Sequence, residues 1–488
     1  MKHVSLAALL LLSCAPGALA AATPEGAAAI KTSLQTYFGA TAGVVEVAPD
    51  GDAYRLTLDF APLAAAAKDV KITTTPIIVK LTEQGGGKWQ VDEDQPLSFV
   101  LDAGEKGTVR YEFGQMKMSG VFDEALGTFA SQDATLSNMH MVQNFKDDKG
   151  NSNAVDYTID TITSTLAAVA AGSAADITVK QTYSGLKETV TIPPDPKVGT
   201  PAVTLTVASP QGAFDMTIKG AMTRPLNQLL AWFVAHPSKE LMTTDQEGLR
   251  TAVRAALPLW NRMDMTGSLD KLTVSSPVGV FSADTMPMEI GMTGFVADAS
   301  FREKFAVTGL KMPPGLVPLW AAGTEPKEAS FGIAVSDIDL DRPVRMFVDN
   351  MDLSKDKPVS DDISNQMLAA LMPKGHATLT LEPSAIVSEL YRLGYESTIT
   401  MAPGKVQGNA LITLKGLDEI MKLLSAAPPE SGAQGAVGGL MMAKGMAKTE
   451  ADGSLSWKIE SSPDGGVLVN GVDMSKMMPP PAPPAPQQ

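Results

Sequence analysis

The sequence predicts an α+β fold, predominantly antiparallel β-sheet with short helices between strand blocks, in two or three lobes. Three observations lead there. Apolar and polar residues alternate with period two through most of the stretch up to residue 222. Turn sequences such as Pro49-Asp50-Gly51 and Gly85-Gly86-Gly87 separate the alternating runs. Parallel strands would need crossover helices of about a dozen residues between them, and no such pattern intervenes.

At the start of the chain, Lys2 and His3 precede an apolar run over residues 4–12 and the small-x-small signal Ala18-Leu19-Ala20, which predict a signal peptide over residues 1–20. The run is about half of the roughly 20 residues a spanning helix needs, so no retained transmembrane helix is expected. The expected location is the periplasm. Cys14, the only cysteine, follows Leu11-Leu12-Ser13 and offers a lipid anchor as the alternative. Cleavage after Ala20 leaves no thiol for a disulfide, a metal site or a nucleophile.

The mature length of roughly 470 residues exceeds one core, so several packed units are expected. Loss of Lys2 takes the formal charge from -15 to -16. No cluster of lysine or arginine interrupts this acidity, which argues against a nucleic-acid partner.

The elements follow in order. Thr23-Pro24-Glu25 opens a helix whose Ile30, Leu34 and Phe38 share a face. Residues 45–47 and 54–60 form a hairpin, and residues 77–81 and 89–91 a second. Further strands at 97–101, 109–118, 203–207 and 214–222 complete a strand-rich lobe over residues 21–222. A helical junction over 223–262 contains helices at 225–234 and 245–260. Residues 263–350 form a second strand-rich block, and 351–476 a mixed α/β region with helices from Ser360-Asp361-Asp362, at 385–393, 417–426 and 437–447. That region also has strands at 376–381, 395–401, 406–414, 455–460 and 467–472. Residues 477–488 are a proline-rich tail, extended and solvated. Leu257-Pro258-Leu259-Trp260 and Val317-Pro318-Leu319-Trp320 form a weak internal echo without a constant period.

Methionine pairs spaced by two are the most unusual chemical feature: Met116 with Met118, Met139 with Met141 around His140, Met263 with Met265, and Met286 with Met288. Thioethers beside an imidazole select monovalent copper or silver, which makes Met139, His140 and Met141 the candidate metal residues. Spacing by two on a strand also places both thioethers on one sheet face, where methionine fills irregular apolar space, and this core reading is preferred. Asp337, Asp339 and Asp341 are expected along one solvated strand face, about 7 Å apart and so unable to share one cation. Residues 147–151 lack the residue order of a calcium loop. Ser184-Gly185-Leu186-Lys187 has the S-x-x-K spacing of serine acyl enzymes without their companion motifs. No catalytic residue and no cofactor is expected.

The closing Asp464-Gly465-Gly466-Val467-Leu468-Val469-Asn470-Gly471 segment and the overall layout resemble proteobacterial periplasmic proteins of unknown function and, distantly, the YdgA-like and AsmA-like envelope proteins. The AsmA-like resemblance implies an elongated sheet whose apolar concave face shields acyl chains, and this chain departs from it in lacking a retained N-terminal membrane helix.

The function expected is that of an exported non-enzymatic envelope protein binding lipid or another apolar ligand in a sheet-lined groove. The alternatives are a periplasmic scaffold that engages an envelope protein partner through its helices or tail, and a soft-metal binder.

Overall fold

The computed structural model describes residues 21–64, 71–146, 152–194, 201–461 and 466–474. Residues 1–20, where a signal peptide with Cys14 is expected, residues 147–151 and the proline-rich tail lie outside the described residues. In chain order the elements are α1 (Pro24–Phe38), β1 (Val45–Asp50), β2 (Ala53–Leu58), α2 (Ala61–Ala64), β3 (Lys71–Thr74), β4 (Ile77–Gly85), β5 (Lys88–Asp102), β6 (Gly107–Asp123), β7 (Thr128–Lys146), β8 (Ser152–Ala171), β9 (Ala174–Ile192) and β10 (Val203–Ala221). They continue with α3 (Thr223–Ala235), α4 (Lys239–Thr244), α5 (Gln246–Ala256), β11 (Arg262–Ser276), β12 (Gly279–Thr293), β13 (Ala299–Val307), β14 (Glu328–Ile338), α6 (Asp341–Asn350) and α7 (Asp361–Leu371). The remainder comprises β15 (Ala377–Val387), β16 (Arg392–Ala402), β17 (Lys405–Lys415), α8 (Leu417–Ser425), α9 (Ala436–Met446), β18 (Lys448–Thr449), β19 (Leu455–Ser461), β20 (Val467–Val469) and β21 (Val472–Asp473). The fold is mainly antiparallel sheet with short helices, as the alternation predicts.

Two compact units divide the chain. One runs through Val280 and adds Glu289–Ala299 and Asp339–Leu371, and the other takes Phe281–Met288, Ser300–Ile338 and the chain from Met372 onward. The helices between residues 223 and 256 therefore lie inside the first unit, and the block at 263–350 divides between both. Strand pairing joins residues far apart in sequence, so the units are not contiguous segments.

In the first unit β1, β2, β4 and β5 pair in that order, and β5 to β11 continue as an antiparallel meander. β3 joins the far end of β5. The core sits where α1 crosses β1: Ile30 and Leu34 pack with Leu56, Leu58, Val79, Leu81, Trp89, Phe122 and Phe129. Thr23 caps α1 by accepting from the Gly26 amide at 3.0 Å, and Gly26 leaves room for Tyr54, whose hydroxyl lies 2.1 Å from where a Cβ would stand.

Several expected boundaries move for local reasons. The helix expected at 245–260 ends at Ala256, because Pro258 drives Leu257 into extended backbone (ψ 140°). No helix forms over 385–393. The i, i+4, i+7 pattern of Ile386, Leu390 and Leu393 is instead the end of β15, a turn, and the start of β16. Ser388 holds that turn, its Oγ accepting from the amides of Leu390 and Tyr391 at 3.1 and 2.9 Å. The strand expected at 467–472 is broken by Asn470 and Gly471 (φ 48° and 82°), which form a two-residue hairpin between β20 and β21.

One core position violates the apolar pattern. Glu93 is 2% exposed on the same side of β5 as Trp89 and Val91, opposite Met118 of β6. One carboxylate oxygen accepts from Gln95 at 3.3 Å, while Oε2 has no partner. Burial pushes its pKa up to about 7, against a smaller lowering by the Gln95 hydrogen bond. Between about pH 4.5, the unfolded value, and pH 7 the native state binds more protons than the unfolded chain, so stability falls as pH rises through that window. The cost above it is roughly 3 kcal/mol. Glu93→Gln should therefore be more stable than wild type at pH 8 and nearly equal at pH 4, with a flattened slope between, as measured by urea unfolding across that range. A wild-type stability that rises from pH 5 to pH 8 through this residue would contradict the assignment.

Candidate apolar ligand face

β6 to β10 are 17 to 20 residues long, against a usual five or six. Each bears an apolar series of period two, and midway along each strand the series changes phase. Phe113 to Met116 on β6, Leu136 to Met139 on β7, Ile159 to Ile162 on β8, Tyr183 to Leu186 on β9 and Leu269 to Leu272 on β11 are all steps of three. On β10 the corresponding step is Ser209 to Gly212.

These steps fall on one row across the sheet. The β6/β7 and β7/β8 ladders lose their pairing at Asn138, β8/β9 at Asp160 and Gly185, and β10/β11 at Lys271. Asn138, Gly185 and Lys271, on alternate strands, have left-handed backbone with φ 52°, 67° and 50°. A residue spent in that conformation bulges the strand, so the next side chain returns to the face that alternation would have taken it from. The apolar series thus stays on one side. Tyr183, before the row, reaches Ser209, beyond it, with 3.4 Å between their hydroxyl oxygens, and burial together with the charge of Glu188 and nearby Tyr183 raises the Tyr157 pKa.

Beyond the row, toward the chain turns near residues 104 and 277, apolar side chains line up across the strands. Leu97, Phe113, Met139 and Ile159 form one row, and Phe99, Tyr111, Met141 and Tyr157 the next. Glu188 of β9 and Val207 of β10 continue the second of these rows, and Val155, Val190 and Leu205 belong to the row after it. Val109, Met141 and Ile159 are buried, and most of the others are only half-buried. Among the described residues of this unit, the helices pack chiefly on one another and on β1, with α3 touching β9. Seven strands at about 4.8 Å spacing and some eight residues of length give this face roughly 29 by 26 Å.

The opposite side is mostly polar, with Val121 and Val142 among its exceptions. Before the row it carries Thr161, Thr163, Thr165, Thr178 and Thr182, with the Thr163 and Thr182 hydroxyls 2.5 Å apart. Beyond it, Arg110 pairs with Glu112 at 3.3 Å and His140 with Asp156 at 3.2 Å, beside an open recess of about 420 Å³.

This alternation decides the metal candidate. Met139 and Met141 belong to the apolar face and His140 to the polar one, so the two thioethers and the imidazole do not converge on one ion. The Met141 sulfur accepts from Gln143 Nε2 at 3.4 Å. Met263 and Met265 likewise lie on the apolar side, in register with Ile218 and Met216.

The aspartates do not line one strand face. β14 ends at Ile338 after left-handed Asp337 (φ 61°), which Thr378 and Lys374 engage at 2.6 and 2.5 Å. The Lys374 hydrogen bond, with that of Thr378, holds the Asp337 carboxyl below its ordinary value. Asp339 is 4% exposed and accepts from the Arg342 amide, and Asp341 opens α6 and pairs with Arg345. Ser184-Gly185-Leu186-Lys187 lies within β9, in the phase-slip row. His236 ends α3, stacked on Trp232 with ring centroids 4.1 Å apart. Among the described residues no group of three or more His, Cys, Asp or Glu is placed to hold a metal, and no helix is long and apolar enough to cross a membrane.

No family model, no curated protein and no solved structure matches this chain.

The phase-slip row makes Gly185 a measurable position. A Cβ there would stand 2.0 Å from Asp160 Oδ2, whereas Gly172, with nearly the same φ (66°), has nothing within 4 Å. Gly172→Ala should cost about 1 kcal/mol for the left-handed backbone alone. Gly185→Ala should cost roughly 1–3 kcal/mol more, because the slip must shift or Asp160 must move. Urea unfolding of both variants checks the difference, and equal losses would show that the row is not constrained at Gly185.

Proposed function

We propose that this is an exported, non-enzymatic protein of the cell envelope that holds lipid or another apolar ligand against the apolar face of its first unit. One observation carries the reading: six neighbouring strands change phase at one row, and the apolar series remains on one side, half-buried, over seven strands. A sheet built only to close a core has no need of such area left half-covered. The dimensions suit an acyl chain laid along the strands, since each leaflet's chains span about 15 Å, half of a hydrocarbon core of about 30 Å. Methionines and β-branched residues present soft surface to chains of variable shape. Periplasmic location through the signal peptide, and kinship with the YdgA-like and AsmA-like envelope proteins, belong to the same proposal.

An interaction scaffold is the second reading, favoured by α3 and α4. Leu230 and Phe233 of α3 are 41% and 45% exposed, and Leu241 of α4 is 44% exposed. Apolar side chains of these two helices are therefore partly open to a partner.

Native mass spectrometry of the protein purified without detergent should show adducts of lipid mass. Leu205→Lys, which sets a charge on the apolar face, should weaken binding of the fluorescent fatty acid cis-parinaric acid by about tenfold or more. His140→Ala, on the polar face, should leave it unchanged. A bare mass together with parinaric acid binding indifferent to Leu205→Lys would reject the ligand reading and leave the scaffold.

A further inference from the structure

The second unit contains a stretch of 13 residues, 312–324, without a charged side chain, bracketed by Lys311 and Glu325. Its sequence is Met312-Pro313-Pro314-Gly315-Leu316-Val317-Pro318-Leu319-Trp320-Ala321-Ala322-Gly323-Thr324. The base is closed by the Leu310 amide donating to Lys327 O at 2.8 Å, so the segment is a compact surface loop. Pro313, Ala321 and Gly323 are buried and anchor it. The tip is the reverse of a soluble surface: Leu319 is 96% exposed and Leu316 46%. Among the described residues Leu319 is the most exposed of the large apolar side chains.

The tip is held in shape rather than slack. Leu316 N donates to Pro313 O, Ala321 N to Pro318 O and Ala322 N to Leu319 O, at 3.3, 2.8 and 3.3 Å. Thr324 Oγ1 donates to Ala321 O at 2.7 Å, and Glu325 accepts from the Gly323 amide at 2.7 Å. Three prolines fix φ at positions 313, 314 and 318. The backbone presenting the two leucines is thus already ordered, and the backbone donors named are used inside the loop.

From these features we propose that the loop at residues 312–322 docks the protein on a lipid bilayer, Leu316 and Leu319 entering the boundary between headgroups and acyl chains. A protein interface surrounds its apolar anchors with a polar rim that includes charged side chains, and residues 312–324 carry none. A bilayer requires only apolar area with an amphipathic rim. Half-buried Trp320 supplies the ring that favours the headgroup level. Lys311, at the base, has no carboxylate within ion-pair distance among the described residues, so its ammonium is available to a lipid phosphate, while Lys327 is taken by Glu389. The apolar helix α9 packs on α8, which also contacts the loop, and adds Met441 and Met442 at 55% and 65% exposure. The echo at Leu257-Pro258-Leu259-Trp260 does not share this geometry, since Leu257 there is buried and Leu259 takes φ 70°.

This docking is independent of whether the first unit carries a ligand. In flotation with vesicles of phosphatidylethanolamine and phosphatidylglycerol at 3:1, the wild-type protein should rise with the lipid. Leu316→Ser combined with Leu319→Ser should lower the partition about tenfold or more while leaving the thermal melt and parinaric acid binding unchanged. Lipids brominated on the acyl chain should quench tryptophan emission in wild type, and Trp320→Phe should remove that quenching. Three outcomes would overturn the proposal: wild-type protein that does not float, a double variant that floats like wild type, or flotation abolished by high salt, which would mark simple surface electrostatics. Lost parinaric acid binding with intact flotation would count against the ligand face alone.

Discussion

A strand's side chains alternate strictly, and keeping one side apolar through a change of phase requires neighbouring strands to change together; the structure depends on that coordination. A bend taken in one strand of a paired sheet would break its ladders, and a bulge taken alone would turn half of that strand's apolar residues to water. Here the concession is made jointly. β7, β9 and β11 spend one residue each in left-handed backbone, and the strands between them accommodate it through Gly114, Asp160 and Pro210. Because all shift together, register is recovered on both sides of the row. β5, at the end of the series, takes the row differently: its Gln95 to Leu97 advance is two residues against three on β6, with Pro96 at the mismatch. The second unit contains a local version, in which β15 steps from Leu381 to Ser384 across Glu382 and Pro383.

The separation of chemistries follows from that arrangement. One side of the first unit's long strands carries chiefly Thr, Lys, Asp, Arg and His, some of them paired, and the other chiefly Met, Val, Leu, Ile and aromatic rings, with Glu93 and Glu188 among them. Aromatic side chains extend over neighbouring glycines: Tyr183 lies over Gly212 and Phe214 over Gly267, each within 2.2 Å of where a Cβ would stand. Glycine in a strand is costly in isolation, and here it makes room for a ring from the next strand. The same division keeps His140 away from Met139 and Met141, which is why a soft-metal motif plausible in one dimension dissolves in three.

Much of this was legible beforehand. The period-two runs identified most strands of the first unit, and Thr23, Pro24, Ile30 and Leu34 identified α1 and the face it buries. Legibility failed where a local pattern was satisfied by nonlocal pairing. Ile386, Leu390 and Leu393 carry helical spacing, yet Ile386 pairs with Leu393 across a turn. The aspartates at 337, 339 and 341 alternate as a strand would, yet left-handed Asp337 and the start of α6 part them. The apolar face had a signal in the sequence: the step of three between apolar residues inside otherwise alternating runs, repeated strand after strand at spacings set by the hairpins. Read one strand at a time, that step looks like the end of a run. Its meaning appears only when the steps are found to lie side by side. Glu93 had no comparable signal, because its burial depends on elements brought together by the fold.

The shared row also limits how such a chain can vary in length. Adding or losing one residue within β8, for example, would invert the sidedness of everything between the change and the next turn, so the strand would offer threonines where its neighbours offer isoleucine and tyrosine. A compensating change would be needed in the same strand or in both of its partners at the same level. Insertions and deletions are thereby pushed out of the strands and into the turns, where they cost little. Strand lengths in this sheet are therefore inherited as a set, and a protein of this design can diverge widely in composition while the arithmetic of its strands stays the same.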